Sequence, residues 1–197
     1  MSLYIVTLAE MKAELGLGDT TDDAVLTRWM NGLQGRFDDE CGRALLRGAD
    51  IEEIHDGGES WLFLARFPVE SIASVHVAAD QDWSDVNKLS ASDYILNKPR
   101  GRLMPAGIGD KWPEGAQNIR VVYAGGFVAC DGVVGAGQSA MPETIRRAFF
   151  IQAGFEWRNR LELGKASVSM QGQSVQLAEA KLLPEVRDAL ATYRRIC

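Results

Sequence analysis

The chain has 197 residues, of which 46 % are hydrophobic and 24 % are charged, within the range of globular proteins. Three cysteines (Cys41, Cys130, Cys197) and two histidines (His55, His76) are too few and too scattered for a disulfide framework, a zinc site or a histidine-based catalytic triad. No apolar run approaches the roughly 20 residues that span a bilayer, and the first residues lack the features of a signal peptide, so we expect a cytoplasmic chain without membrane contact.

The net charge of −6 is unevenly distributed. Residues 1–100 hold 9 Lys/Arg against 18 Asp/Glu, whereas residues 101–197 hold 12 against 9. An acidic front half disfavours nucleic acid as a specific partner, because Lys and Arg must replace the counterions of the phosphates. The asymmetry fits two differently solvated surfaces as well as it fits an interaction role.

The first 50 residues predict two helices. Thr7 and Glu10 form a capping box ahead of "LAEMKAELGL", and Gly16 ends that helix. Asp22 and Asp23 then begin a long second helix, where their carboxylates complement the helix dipole. Apolar residues recur along it every three or four positions: Leu26, Trp29, Met30, Leu33, Phe37, Cys41 and Leu45.

Three glycines weaken the second helix intrinsically: Gly32, Gly35 and Gly42. We therefore expect close packing against a neighbour to hold this helix in place. Cys41 lies on its apolar face, which predicts a buried small hydrophobic residue rather than a reactive thiol.

From residue 51 the hydrophobic period changes to alternation. The segments are short and are broken by "DGG", "FPV", "NKPRG" and "KWPEG", as in antiparallel strands joined by turns. Both histidines fall inside these strands. The β-rich region is expected to cover residues 51–126.

A glycine-rich stretch, "VVYAGGFVACDGVVGAGQSAMPETIRRAFF", places glycines between an apparent strand and an apparent helix. That order is typical of phosphate-binding loops, but a Walker loop needs a lysine after its last glycine, and a dinucleotide fingerprint needs a third glycine. Glu143 would also place negative charge where the phosphate should sit. We interpret residues 127–140 as a flexible linker instead.

Helical periodicity returns after Pro142, which is expected at the first helical position. The residues on helical spacing are Ile145, Ala148, Phe149, Gln152, Phe155 and Glu156. Residues 165–180 are small, polar and aperiodic, which predicts a mobile arm, and "LPEVRDALATYRRI" predicts a last helix. The predicted fold class is α+β: a core of about four helices from 1–50 and 141–197, with a β-rich antiparallel insertion.

Adjacent carboxylates are the only groups that suggest acid–base chemistry. They are the run Asp38, Asp39 and Glu40, and the pair Glu52 and Glu53. Adjacent carboxylates on a helix point in different directions, so we interpret the run at 38–40 as a solvated face. No nucleophile–base spacing is present. The sequence thus predicts a non-enzyme without cofactor or metal.

Tryptophans and arginines are the candidates for contacts with other proteins. Trp83 and Trp112 lie in polar, turn-like segments, where they suit either an exposed contact or packing under their own loops. The arginines of the last two helices suit interfaces through bidentate pairing, or helix C-termini through the dipole. They are Arg146, Arg147, Arg158, Arg160, Arg187, Arg194 and Arg195.

Both ends of the chain resemble a known family. "TLAEMKAELGLGDTTDDAVLTRWMNGLQGRFDDECGRAL" resembles the N-terminal helix pair of the phage head–tail connector (adaptor) family. "MPETIRRAFFIQAGFEWRNR" and "LLPEVRDALATYRR" resemble its following helix and its ending. The middle of the chain matches longer members with a β-rich insertion before a Y-x-x-G segment, here Tyr123–Gly126. The family more often has Val where Met141 stands, and the loop "ACDGVVGAGQSA" is long.

The resemblance implies a structural protein of a tailed phage or prophage, assembled in the bacterial cytoplasm and located in the virion neck. Such a protein forms a ring of roughly a dozen copies in cyclic symmetry. The ring binds the portal protein on one side and a tail or stopper protein on the other, and DNA passes through its lumen without sequence-specific binding. The family's portal contact maps here onto Leu183, Val186, Leu190, Tyr193, Arg194 and Arg195.

Two other functions remain open at this point. A stopper or tail-completion protein would have β structure at both ends, which the helical periodicity does not favour. A small cytoplasmic enzyme using the acids at 38–40 would respond to divalent ions in a thermal shift.

Overall fold

The computed structural model describes residues 4–107, 111–160, 167–170, 173–176 and 181–195. These residues form an α+β fold of four α-helices with a β-rich middle, as predicted. The helices are α1 (Leu8–Leu15), α2 (Asp23–Cys41), α3 (Glu143–Arg158) and α4 (Pro184–Ala191). No helix among these residues is both long and apolar enough to cross a membrane.

The first helix has the ends that its sequence predicts. The Thr7 side chain accepts from the Glu10 backbone N–H at 3.1 Å, and the Glu10 carboxylate accepts from the Thr7 N–H at 2.9 Å. Gly16 caps the other end in the left-handed conformation, with φ of 70°. The local capping signals therefore determine both boundaries.

Two predicted details of the other helices are wrong by a few residues. Gly42, with φ of 62°, caps α2, so the helix ends at Cys41. Leu45 is fully buried but lies outside the helix, in the segment that leads into the sheet. Pro142 stands at the N-cap of α3 and not at its first helical position. Leu45 is buried in the hydrophobic cluster of the helices, and its carbonyl accepts from the Phe127 N–H at 2.9 Å. Helical spacing cannot distinguish this tertiary contact from a further turn.

Helix α2 packs against a neighbour, as expected, but its glycines take no part in that packing. Gly32 and Gly35 are exposed, and a Cβ added at either position would meet nothing within 4 Å. The helix is held instead by its buried apolar face, which is formed by Leu26, Met30, Leu33, Phe37 and Cys41. Burial also raises the pKa of the Cys41 thiol to about 11, as suits an unreactive core residue.

Replacing Gly32 or Gly35 with alanine should therefore stabilise the protein. Alanine loses less conformational entropy than glycine in a helix, and neither position offers a clash, so each change should raise the free energy of unfolding by about 0.5–1 kcal/mol. Urea denaturation followed by circular dichroism measures the gain. The control is Gly42→Ala, which should destabilise because the position needs a positive φ. A lower free energy of unfolding for Gly32→Ala would contradict the finding that a Cβ at this position meets no other atom within 4 Å.

The four helices share one hydrophobic cluster. Phe37 of α2 and Phe149 of α3 meet edge to face with ring centroids 5.3 Å apart, and Trp29 lies 5.3 Å from Trp157. Val186 and Leu190 attach α4 to the same cluster. Phe127, from the middle of the chain, also enters this cluster. Both ends of the chain thus build one helical core.

The middle of the chain forms two antiparallel sheets of three strands. The first contains β1 (Gly48–His55), β3 (Val69–Val77) and β6 (Ile119–Gly125) in the order β1-β6-β3. The second contains β2 (Leu62–Phe63), β4 (Tyr94–Asn97) and β5 (Arg102–Pro105) in the order β2-β5-β4. Both histidines lie in strands of the first sheet, as predicted.

A second hydrophobic cluster lies between these strands. Its fully buried members include Leu64, Val75, Leu103, Ile119 and Val121. Trp112 also belongs to it at 2 % exposure, so of the two roles open to it, packing under its own loop is correct. The helices and the strands thus have separate hydrophobic clusters. This supports the proposed division of the chain into a helical core, residues 1–50 and 141–197, and a β-rich insertion, residues 51–126.

The Y-x-x-G segment marks the crossing from the sheet to the helical core. The Tyr123 hydroxyl accepts from the Arg66 N–H at 2.9 Å and donates to Glu53. Gly126 has φ of 99°, and a Cβ there would lie 2.7 Å from the Leu46 carbonyl oxygen. The glycine is required because two backbones meet at this point.

Residues 127–140 begin and end in strands. These are β7 (Phe127–Val128) and β8 (Ser139–Ala140), which pair in parallel and enclose the loop 129–138. Phe127 and Val128 are buried. We retain the linker role as a proposal for the enclosed loop.

Part of the expected arm, residues 165–180, is an antiparallel hairpin. Its strands are β9 (Ser167–Met170) and β10 (Gln173–Gln176). The rest of the arm lies outside the described residues.

Candidate partner-binding site

A cleft of about 370 Å³ opens where the helical core meets the β region. Its core rim is the segment 192–195 that follows α4, and its sheet rim is formed by residues around β2 and β5. We call it the arginine cleft, because five of its lining residues are arginines and none is acidic. The lining residues are Arg43, Phe63, Leu64, Phe67, Pro68, Pro99, Arg100, Arg102, Phe127, Thr192, Tyr193, Arg194 and Arg195.

The core rim carries half of the residues that the family resemblance assigns to portal binding. Tyr193 packs edge to face on Phe127, with centroids 6.1 Å apart. The Arg195 N–H donates to the Cys41 carbonyl at 2.8 Å, and its guanidinium donates to the Phe63 carbonyl at 2.8 Å. Arg194 is exposed and pairs with Glu40. These three side chains are therefore brought together at one surface.

The other three residues of that predicted set do not reach this surface. Val186 is 1 % exposed and Leu190 is fully buried, so both hold α4 on the core. Leu183 is half-buried, and its N–H donates to the Gln152 side chain at 2.8 Å. In this conformation they position the rim and do not form it.

Arg43 forms the floor of the cleft and is 5 % exposed. Its guanidinium lies 3.5 Å from the centroid of the Phe67 ring, and its Nε donates to the Tyr193 carbonyl at 2.8 Å. Another of its nitrogens donates to the Phe67 carbonyl, whereas Nη2 is buried without a partner. Burial lowers the pKa of Arg43 to about 10. The Asp38 carboxylate favours the charged form of Arg43 through space, and a second ring, that of Phe127, has its centroid 5.5 Å from the guanidinium. The buried Nη2 still lacks an acceptor, so the floor of the cleft favours an anion.

The sheet rim adds two further cations. Arg102 stacks over the Trp61 ring at 4.2 Å, and Trp61 is 42 % exposed. Arg100 is exposed, and among the described residues it forms no ion pair. Cation–π stacking keeps Arg102 oriented without neutralising its charge. The rim is thus both aromatic and positive.

The sequence did not point to Arg43, Arg100 or Arg102 as site residues. Arg102 pairs with Phe63 across β5 and β2, which are far apart in the chain. The "RFP" and "KPRGR" segments hold the aromatic and basic groups, but no local spacing predicts their meeting. Only the register of the second sheet brings them together.

The carboxylates considered for catalysis have structural partners. Asp38 accepts from the Leu45 N–H at 2.9 Å, and Glu40 pairs with Arg187 and Arg194. Glu53 accepts from the Ala65 N–H at 3.0 Å. Within the described residues no group of three or more His, Cys, Asp or Glu could hold a metal ion. The acidic runs therefore serve packing and ion pairing.

The whole chain shares its fold with chains from three structures of gene transfer agent (GTA) particles. In "Neck of empty GTA particle computed with C6 symmetry" the match has a TM-score of 0.59 at 18 % identity, over 100 % of this chain and 94 % of the other. In "Virion of native gene transfer agent (GTA) particle" the match has a TM-score of 0.58 at 16 % identity, over 98 % of this chain and 91 % of the other. In "Neck of native GTA particle computed with C12 symmetry" the match has a TM-score of 0.53 at 17 % identity, over 100 % of this chain and 97 % of the other.

Identities of 16–18 % establish a common fold for these chains and nothing finer. The sequence matches no protein-family profile and no curated protein.

Proposed function

We propose that this chain is a structural subunit of the neck of a phage-like particle, and specifically its head–tail connector (adaptor). The observation that carries the proposal is the likeness over the full chain to chains of GTA necks, with matching coverage on both sides. The helical motifs at the two chain ends, on which the family resemblance rests, fold into one core around the β-rich middle. Sequence and fold therefore support the same class of protein.

The proposed assembly is a ring of roughly a dozen copies in cyclic symmetry. The neck structures with the same fold were solved with C6 and C12 symmetry, which supports such a ring. A chain of net charge −6 repeated around a lumen repels DNA and lets it slide without sequence-specific contact. Its proposed location is the virion neck, after assembly in the bacterial cytoplasm.

The proposed portal contact is the core rim of the arginine cleft. Tyr193, Arg194 and Arg195 offer an amphipathic ring and two planar cations, side chains that are enriched at the energetic centres of interfaces. Val186 and Leu190 contribute by holding α4 on the core, and Leu183 by its bond to Gln152. The opposite face of the ring would bind the tail or a stopper protein.

A stopper or tail-completion role in the same neck is the alternative within this class. The two differ in binding order, because an adaptor binds the portal directly and a stopper needs the adaptor in place. Affinity pull-down by the tagged cognate portal, alone and with the other neck proteins added one at a time, separates them. Binding to the portal alone supports the adaptor, and binding only after another neck protein is added contradicts it.

An enzyme built on the acids at 38–40 is disfavoured, because Asp38 and Glu40 are engaged with Leu45, Arg187 and Arg194. We propose a purely structural role that needs no cofactor and no metal.

A further inference from the structure

The arginine cleft has a chemical complement elsewhere on the same chain, in the loop of residues 80–87. This loop carries Asp80, Asp82 and Asp85 and no Lys or Arg. None of the three aspartates forms an ion pair within the described part of the chain. Val86 is 92 % exposed, and Trp83 beside it is only half-buried. The loop thus presents carboxylates together with apolar groups.

The cleft offers the opposite charge with matching apolar surface. Arg43, Arg100 and Arg102 form no direct ion pair among the described residues, although the Asp38 carboxylate acts on Arg43 through space. Phe63 and Phe67 also line the cleft. A carboxylate that enters the cleft would meet the buried Nη2 of Arg43, which lacks a partner. Opposite charges on two surfaces direct their encounter and fix its register.

The loop cannot reach the cleft of its own chain. Pro68, which lines the cleft, directly precedes β3, whereas the loop follows the other end of that strand. The strand has 9 residues, and at a rise of about 3.3 Å per residue it separates the two by about 27 Å. A cleft and its complement at opposite ends of one rigid strand suit a head-to-tail contact between copies, the kind that closes into a ring.

We propose that the acidic loop 80–87 of one copy docks on the sheet rim of the arginine cleft of the next copy, and that this contact links neighbouring subunits. Its aspartates pair with Arg100 and Arg102, and Val86 and Trp83 pack on the aromatic side chains between them. The core rim, with Tyr193 and Arg194, stays available for the portal. This inference rests on the proposed ring, but the occupant of the cleft is tested separately from the portal.

Charge reversal tests the contact in the assembled ring. Asp85 and Arg100 are both exposed, and neither side chain forms a hydrogen bond or a direct ion pair within the described residues. Asp85 acts on His76 only through space, so D85K and R100E should fold normally. Each single variant should lower the occupancy of rings on the portal at least fivefold, and the double variant should recover most of it. The matched controls are R28E and E14K, which reverse exposed charges on α2 and α1 and should leave occupancy unchanged.

Cross-linking tests proximity without relying on the portal. Chains carrying D85C are mixed with chains carrying R100C, after Cys130 and Cys197 have been replaced by serine, and are oxidised mildly at high concentration with and without the portal. A disulfide-linked pair should form from D85C with R100C, and not from D85C with R28C.

The outcomes separate this inference from the proposed function. A portal left bare by the wild-type chain would refute the adaptor role, while the cross-link on the chain alone would still decide the contact. Absence of the D85C–R100C product in both conditions would overturn the inference. So would single variants that assemble as the wild type does, or a double variant without recovery. Loss of portal binding by R100E without any cross-link would assign the cleft to another protein.

Discussion

Replacing Glu156 with alanine should lower the free energy of unfolding by about 3–4 kcal/mol, the largest stability loss that we expect from one polar substitution. Glu156 is 3 % exposed on α3. Its carboxylate accepts from the Trp29 indole at 2.8 Å, from Arg36 at 2.5 Å and from Gln152 at 2.7 Å. Its removal takes the acceptor from Trp29 and Arg36, takes one of two acceptors from the Gln152 amide nitrogen, and opens a cavity beneath Trp29.

The loss of Glu156 should also weaken the attachment of α4, beyond the contact between α2 and α3. Gln152 is fully buried, and besides Glu156 it binds the Lys181 carbonyl and the Leu183 N–H, so it connects the network to the approach of α4. Urea denaturation followed by far-UV circular dichroism measures the loss. The matched control is Glu143→Ala in the same helix, where the side chain is 82 % exposed and the cost should stay within about 0.5 kcal/mol. A cost below about 1 kcal/mol at Glu156 would contradict the buried network.

The second large effect concerns binding. Replacing Tyr193 and Arg194 together with alanine should abolish binding to the cognate portal while leaving the chain folded. Tyr193 is only partly buried, at the edge of the helical cluster where it packs on Phe127, and Arg194 is exposed, so the core keeps its buried members. Hot-spot side chains of these types account for most of the binding energy of an interface. Biolayer interferometry against the immobilised portal measures the loss, and thermal denaturation checks the fold.

Arg187 provides the matched control for that double variant. It also pairs with Glu40, at 3.3 Å, but it lies on the exposed face of α4 and does not line the cleft. Arg187→Ala should therefore leave portal binding within about twofold, because an exposed ion pair contributes little. Undiminished portal binding by the double variant would contradict the proposal that the core rim binds the portal.

Local signals explain which parts of the fold the sequence predicts. The capping box of Thr7 and Glu10, the glycine after α1 and the proline before α3 act within one turn of helix, so they are visible in the sequence. The end of α2 is not visible in the sequence, because the apolar spacing continues to Leu45 although Gly42 has already ended the helix. Leu45 is buried by non-local contacts in the helical cluster, among them the hydrogen bond from the Phe127 N–H to its carbonyl.

The candidate site is predictable only in part for the same reason. Tyr193, Arg194 and Arg195 follow a recognisable helix, and family resemblance alone points to them. Arg43 has no such signal, because its environment is built by Phe67, Phe127 and the Tyr193 carbonyl from three distant segments. Trp112 lies in a polar segment of the sequence, but its side chain is buried because it enters the hydrophobic cluster of the β region. Non-local packing determines these roles.

The glycine-rich stretch from Val121 to Phe150 illustrates how the structure changes an interpretation. Gly125 and Gly126 lie where strand β6 meets the backbone of residues 46 and 66, and a Cβ at either position would lie 2.6–2.7 Å from a carbonyl oxygen. These glycines therefore join the β region tightly to the helical core. The arginine cleft lies at this junction, so its two rims belong to parts that are held together by backbone contact.

The most direct test of the proposed function is to mix the purified chain with the cognate portal and to compare electron-microscopy class averages with those of the portal alone. We predict an added ring of density on the portal with cyclic symmetry. Portal class averages without added density, at concentrations where the chain is folded and in excess, would contradict the assignment of this chain as the head–tail connector.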